Sequence, residues 1–164
     1  MTQTFAGSCS CRAVKYKVTS APMFVHCCHC QDCQRQTGSA FVLNALIEAD
    51  RVQILDGVTR GFPQPTESGR PHVIHRCPAC GTALWSNYGG REEVRFVRVG
   101  ALDDPAALPP DVHIYTRSKQ PWVKLPGDVP GATTGRPAEV FDAYYDSAKL
   151  WPPQSLARRK VIFG

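Results

Sequence analysis

Long apolar runs are missing from this 164-residue chain; none approaches the roughly 18 consecutive residues of a membrane-spanning helix. The opening residues, MTQTFAGSCSC, place no basic stretch ahead of an apolar one, so no secretory leader is expected. No long amphipathic helical pattern occurs before residue 135, and neither internal repeats nor low-complexity segments occur, which argues against helical bundles and repeat arrays. Basic residues form no stripe interleaved with aromatics, so neither nucleic acid nor a membrane surface is an expected partner. Arg158, Arg159 and Lys160 are the one basic cluster and read as a solvated tail. These absences describe one soluble, cytoplasmic domain, large enough to bury a core of its own.

Cysteine is what the chain has in excess. Eight cysteines in a reducing compartment point to metal ligands or catalytic thiols before disulfides. Cys9 and Cys11 form CxC, Cys28, Cys30 and Cys33 form CxCxxC, and Cys77 and Cys80 form CPxCG, leaving only Cys27 outside a tight spacing. Seven thiolates outweigh two divalent zinc ions by three charges, so the formal +5 falls to about +2 on loading, too little to define a partner.

Around these motifs run short alternating stretches: RAVKYKV, FVLNALI, RVQIL, HVIH, TALWSNY, EVRFVRVGAL and VHIYT. Their period of two predicts strands, and Asp56-Gly57, the proline-rich GFPQPTESGRP and Gly89-Gly90 break them at antiparallel intervals. Short helices are predicted from about Asp32 to Gln36 and over residues 103–109, the latter with Asp103 as cap and Pro105 in its first turn. The segment LPGDVPGATTGRP reads as loop. AEVFDAYYDSAKLW reads as a helix whose Val140, Tyr144 and Trp151 dock on the β body.

The sulfurs divide by arithmetic. Two cysteines two apart on a strand share a face, and CPACG is a tight turn that converges its two thiolates, a zinc knuckle. Cys9, Cys11, Cys77 and Cys80 thus supply a closed tetrahedral set for a structural zinc. Cys28, Cys30 and Cys33 supply three ligands to a second zinc, leaving its fourth position open or filled from elsewhere, as in catalytic zinc. Spacing equally permits Cys30 and Cys33 to join Cys77 and Cys80 in one site. It also permits Cys27, His26 or His29 to close the second, although Cys27 points away from Cys28 if the segment is extended.

Taken in order, GSCSCRAVKYKV, HCCHCQDCQRQTGSAF, HRCPACGTALW and HIYTRSKQPWVKLPGDVP resemble the glutathione-dependent formaldehyde-activating enzyme family, which includes a centromere protein V-like branch acting in chromatin. The resemblance implies a mainly β fold, a zinc-held β-tent of antiparallel sheets with short helices, over residues 5–130, with residues 131–164 as a helical extension. It implies the same allocation of Cys9, Cys11, Cys77 and Cys80 to one zinc and of Cys28, Cys30 and Cys33 to the other. It also implies carbon–sulfur lyase-like chemistry on the adduct of formaldehyde and a small thiol such as glutathione.

Acid–base help is expected from His29 or His75, carboxylate recognition from Arg35, Arg76 or Arg117, and pocket walls from Asn87, Tyr88 and Trp122. The rival expectations are a zinc adaptor module and a thiol redox sensor using Cys27-Cys28.

Overall fold

The computed structural model describes residues 3–125 and 139–164. The protein is mainly β. Strands β1 (Phe5–Ser8), β2 (Lys15–Val18) and β5 (Val52–Asp56) form an antiparallel sheet in the order β1-β2-β5. The larger sheet contains β3 (Phe24–Cys28), β4 (Val42–Glu48), β6 (Arg60–Gln64), β7 (His72–Arg76), β8 (Ala83–Tyr88), β9 (Val94–Arg98), β10 (Val112–Ile114) and β11 (Glu139–Val140). Its order is β11-β10-β3-β4-β9-β8-β7-β6, antiparallel except that β10 runs parallel to both β3 and β11.

Alternation along the strands gives the large sheet two buried faces. Val25, Ala45, Ile47, Trp85 and Val97 pack against Val14, Tyr16, Val18 and Val52 of the small sheet. Tyr16 meets Trp85 edge-on at 5.8 Å, and a Cβ on Gly7 would lie 2.5 Å from the Tyr16 ring, so only glycine admits this approach. On the opposite face Phe24, Cys28, Val42, Leu46 and Val94 pack against Tyr145, Trp151, Leu156 and Ile162 from the C-terminal part of the chain.

Four expectations change. The proline-rich stretch read as a break contains β6, which tolerates Pro63 because it is the edge strand and needs no amide there. Residues 103–109 contribute only one 3-10 turn, Pro105–Ala107; Asp103 does not cap it and instead accepts the Ser8 hydroxyl at 3.3 Å. Glu139 and Val140 are strand, not helix, and helix forms in two pieces, α2 (Ser147–Leu150) and α3 (Pro153–Phe163). The break between them is set by Pro152 and Pro153, whose rings disfavour continuing α2 while suiting the start of α3. The expected loop, apart from Leu125, and the expected boundary at residue 131 lie outside the described residues. The helix from Asp32 to Gln36 is present as α1 (Gln31–Thr37), closed by Gly38 at φ 64°.

The basic tail is also not simply solvated. Arg158 grips both Glu48 oxygens, at 2.8 and 2.5 Å, and donates to the Ala21 carbonyl at 2.9 Å, so it ties α3 to the end of β4. Burial alone would raise the Glu48 carboxyl, but the Arg158 fork and Arg51 outweigh it and hold the group below its ordinary 4.5. A group held down in the fold stabilises above its unfolded value and loses that contribution as pH falls through the lowered one. Arg158→Ala is therefore expected to cost about 1.5–3 kcal/mol near neutral pH and progressively less in acid, read as the gap between wild-type and mutant urea midpoints across a pH series.

Candidate metal centres

CxC lies not on a strand but in the turn joining β1 to β2, where the Arg12 amide donates to the Cys9 carbonyl at 2.9 Å. The sulfurs still converge, since a turn folds i and i+2 together as effectively as a strand aligns them. The Cys9 and Cys11 Sγ atoms are 3.5 Å apart, Cys11 and Cys77 are 3.8 Å apart, and all four sulfurs with Cys80 lie within 4.8 Å of one another. Sulfurs bound to one tetrahedral zinc at about 2.3 Å stand roughly 3.8 Å apart, far beyond a disulfide, so the four thiols match a metal cage.

Thr82 joins the two halves. Its hydroxyl oxygen accepts the Ser10 amide at 3.1 Å and lies 3.1 Å from the Cys80 sulfur. That hydroxyl, followed by backbone amides, holds the exposed Cys80 thiol down to about 5. The Val14 amide donates to Cys9 Sγ at 3.2 Å, and the knuckle closes through the Gly81 amide on the Cys77 carbonyl at 2.9 Å, with Gly81 at φ 74°. Thr82 escaped the sequence reading, whose only hint of it was the Gly-Thr that follows the knuckle.

The second cluster forms where β3 gives way to α1. Cys28 ends the strand, Cys30 is the N-cap, and Cys33 lies one turn on, with the Cys33 amide donating to Cys30 Sγ at 3.4 Å. The three sulfurs lie within 4.8 Å of one another, and no fourth donor joins them among the described residues. Hydrogen bonds from Cys28 and Cys33 lower Cys30, while the same crowding pushes Cys28 up to about 12 and Cys33 higher still. Three thiols this close cannot all ionise without a cation, and a divalent ion removes that conflict. Arg98, 6% exposed, donates to Asn44 Oδ1; burial pulls its guanidinium below the ordinary arginine range, and negative charge on the three sulfurs works against that pull.

Neither Cys27 nor His26 nor His29 closes this cluster. Cys27 points to the other face of β3, as alternation requires, and burial pushes its thiol up to about 12. His26 Nε2 is hydrogen-bonded to the Tyr145 hydroxyl at 2.7 Å, whose oxygen accepts the Trp151 indole N–H at 2.6 Å; burial keeps this ring neutral, with a value of about 4. His29 is fully buried with Cys27 and His113, so its geometry does not support the expected acid–base role beside the three sulfurs. The alternative in which Cys30 and Cys33 share an ion with Cys77 and Cys80 is likewise not the arrangement found, because the two pairs belong to separate clusters.

Other candidates are held by structure. His75 stacks on Trp85 at 5.7 Å. Asn87 donates to the Arg91 and Val94 carbonyls, and Arg76 donates to those of Gly81 and Gln36. Trp122, expected as a pocket wall, is 70% exposed. Arg117 lies over Tyr115 at 5.9 Å beside a shallow recess that also includes Gln31, Glu67 and Ser118. Tyr88 hydrogen-bonds Ser68 at 2.6 Å, and Arg35 sits exposed in the last turn of α1.

Two β-sheets carrying a four-sulfur and a three-sulfur cluster define a cysteine-rich β protein able to hold metal ions. Residues 4–118 match the family model for the glutathione-dependent formaldehyde-activating enzyme, and the chain belongs to that family. A relative from Halomonas elongata, named "Putative glutathione-dependent formaldehyde-activating enzyme", is 28% identical over 124 residues, covering 73% of this chain and 79% of the relative. A crystal structure of a Rhodobacter sphaeroides protein aligns with a TM-score of 0.47 and 18% identity over 62% of this chain and 93% of the other. Among the described residues, no helix is long and apolar enough to cross a membrane.

Proposed function

We propose that the protein is a zinc-dependent, carbon–sulfur lyase-like enzyme that makes or breaks the adduct of a small thiol with an aldehyde. The observation that carries this reading is the trio Cys28, Cys30 and Cys33: three convergent sulfurs, half-exposed at Cys30 and Cys33, without a fourth protein donor among the described residues. Family membership and the name of the Halomonas relative support glutathione as the thiol and formaldehyde as the aldehyde.

A bound zinc would supply acidity to a thiol brought within reach, whose ordinary value is about 8.5. The chain's own part is to hold and orient. Cys28 is fixed by β3, Cys30 by its cap on α1 and Cys33 by the first helical turn, so the donors are placed before any substrate arrives. Arg98 offsets the net negative charge that three thiolates leave around one divalent ion. In the addition direction the thiol sulfur's electron pair forms the new C–S bond. The carbonyl π pair moves to oxygen, and the proton lost by the thiol ends on that oxygen, with no change of oxidation state. The four-sulfur cluster holds the scaffold, so the proposal assigns two zinc ions per chain.

The test is the rate at which formaldehyde and glutathione condense with zinc-loaded protein, compared with the spontaneous rate in the same buffer. Acceleration proportional to protein is the expected result; a rate equal to buffer would discard the activity.

A further inference from the structure

Behind the three-sulfur cluster lies a second group of donors that the proposed chemistry does not use. Alternation along β3 sends Cys28 to one face and Cys27 to the other, and His29, two residues on, follows Cys27. The parallel register of β10 then sets His113 directly beside Cys27. His29 Nε2 lies 3.5 Å from Cys27 Sγ and 2.9 Å from His113 Nδ1, and the three donor atoms fall within 4.8 Å of one another.

Hydrogen bonding satisfies this group badly. His29 Nε2 faces two partners and offers either one proton or one lone pair to both. If it donates to His113, the Cys27 thiol has no acceptor there; if it accepts from His113, the thiol competes for the same lone pair. His29 Nδ1 is buried with no hydrogen-bond partner. Cys27 and His29 are 1% and 0% exposed, so water is a poor remedy.

One ion would take all three donors at once. A thiolate and an imidazole on a tetrahedral zinc stand roughly 3.6 Å apart, and two imidazole nitrogens roughly 3.4 Å. The Cys27–His29 separation of 3.5 Å already matches, the Cys27 and His113 donors lie within 4.8 Å, and the two rings need part by only about half an ångström. The backbone holds the set in place, for the His29 amide donates to the Ile114 carbonyl at 3.0 Å and the His29 carbonyl accepts Gln34 Nε2 at 2.8 Å. His113 is only partly buried, so this side of the group meets solvent.

We propose that Cys27, His29 and His113 form a third metal site, separate from both thiolate clusters, that takes a zinc-class ion on one thiolate and two imidazoles. Binding releases one proton per ion, from the Cys27 thiol. The proton between the rings moves to the far nitrogen of the imidazole that carries it, so each ring stays neutral. No electron changes hands. The ion would clamp β10 to β3 on the face opposite Cys28.

The experiment reconstitutes metal-free full-length chain with zinc under reducing, anaerobic conditions and counts tightly bound zinc per chain after gel filtration. His113→Gln, at a partly exposed position, is compared with wild type, and Cys27→Ala serves as the second variant. The proposal expects each variant to bind one equivalent fewer than wild type. It also expects cobalt-loaded wild type to show a thiolate charge-transfer band that the His113 variant lowers by one site's share, while its far-UV circular dichroism is unchanged. Equal zinc content and equal cobalt spectra in wild type and His113→Gln would overturn it. The count does not depend on condensation of formaldehyde with glutathione, so either reading can fail without the other.

Discussion

Cys77→Ser is expected to leave no cooperatively folded protein at room temperature. Cys77 is 1% exposed, lies in the core between the two sheets, and its sulfur is 3.8 Å from that of Cys11, 66 residues earlier. Four thiolates on a structural zinc contribute on the order of 10 kcal/mol of apparent binding energy to folding, comparable with the whole stability of a domain. The β1–β2 turn and the knuckle meet chiefly through these sulfurs and Thr82, so losing one donor removes that tie and leaves the inter-sheet apolar packing to hold the two sheets without it. Thermal melts by circular dichroism, with zinc content measured alongside, check this. A melting temperature within a few degrees of wild type would refute it, as would an unchanged melt after complete removal of metal from the wild-type chain.

Cys30→Ser is expected to do the reverse, keeping the fold and abolishing the chemistry. Cys30 is half-buried at a helix cap, and serine caps helices well, so α1 should survive within about 1 kcal/mol. The four-sulfur cluster and the inter-sheet core are untouched. A hydroxyl in place of a thiolate takes one of three ligands from the proposed second zinc, and the proposed condensation of formaldehyde with glutathione should fall to the spontaneous rate. Full activity in a variant shown to have lost zinc from this cluster would mean that the reaction, if present, occurs elsewhere.

Much of the architecture was open to reading before any coordinates. Val14, Tyr16 and Val18, all buried, betray a strand because burial on one face imposes a period of two along a single stretch of chain. CxC, CxCxxC and CPxCG mark candidate ligands because one ion must be reached by side chains a few residues apart. The opposite directions of Cys27 and Cys28 follow from the same alternation.

What failed was whatever depended on neighbours distant in sequence. Pro63 looks like a break until it is known to lie on an edge strand, where its missing amide costs nothing. Arg158 looks like solvated charge until Glu48, 110 residues away, closes on it. His113 carried no local mark as a donor, because its place beside Cys27 is set by a parallel strand pairing across 86 residues. Local spacing and periodicity are written along the chain, whereas pairing is chosen by which faces exclude water together. The sequence alone therefore determined the cysteine motifs and most of the strands; tertiary structure decided which sulfurs and imidazoles converge, which strand lies at the edge, and what covers the second face of the sheet.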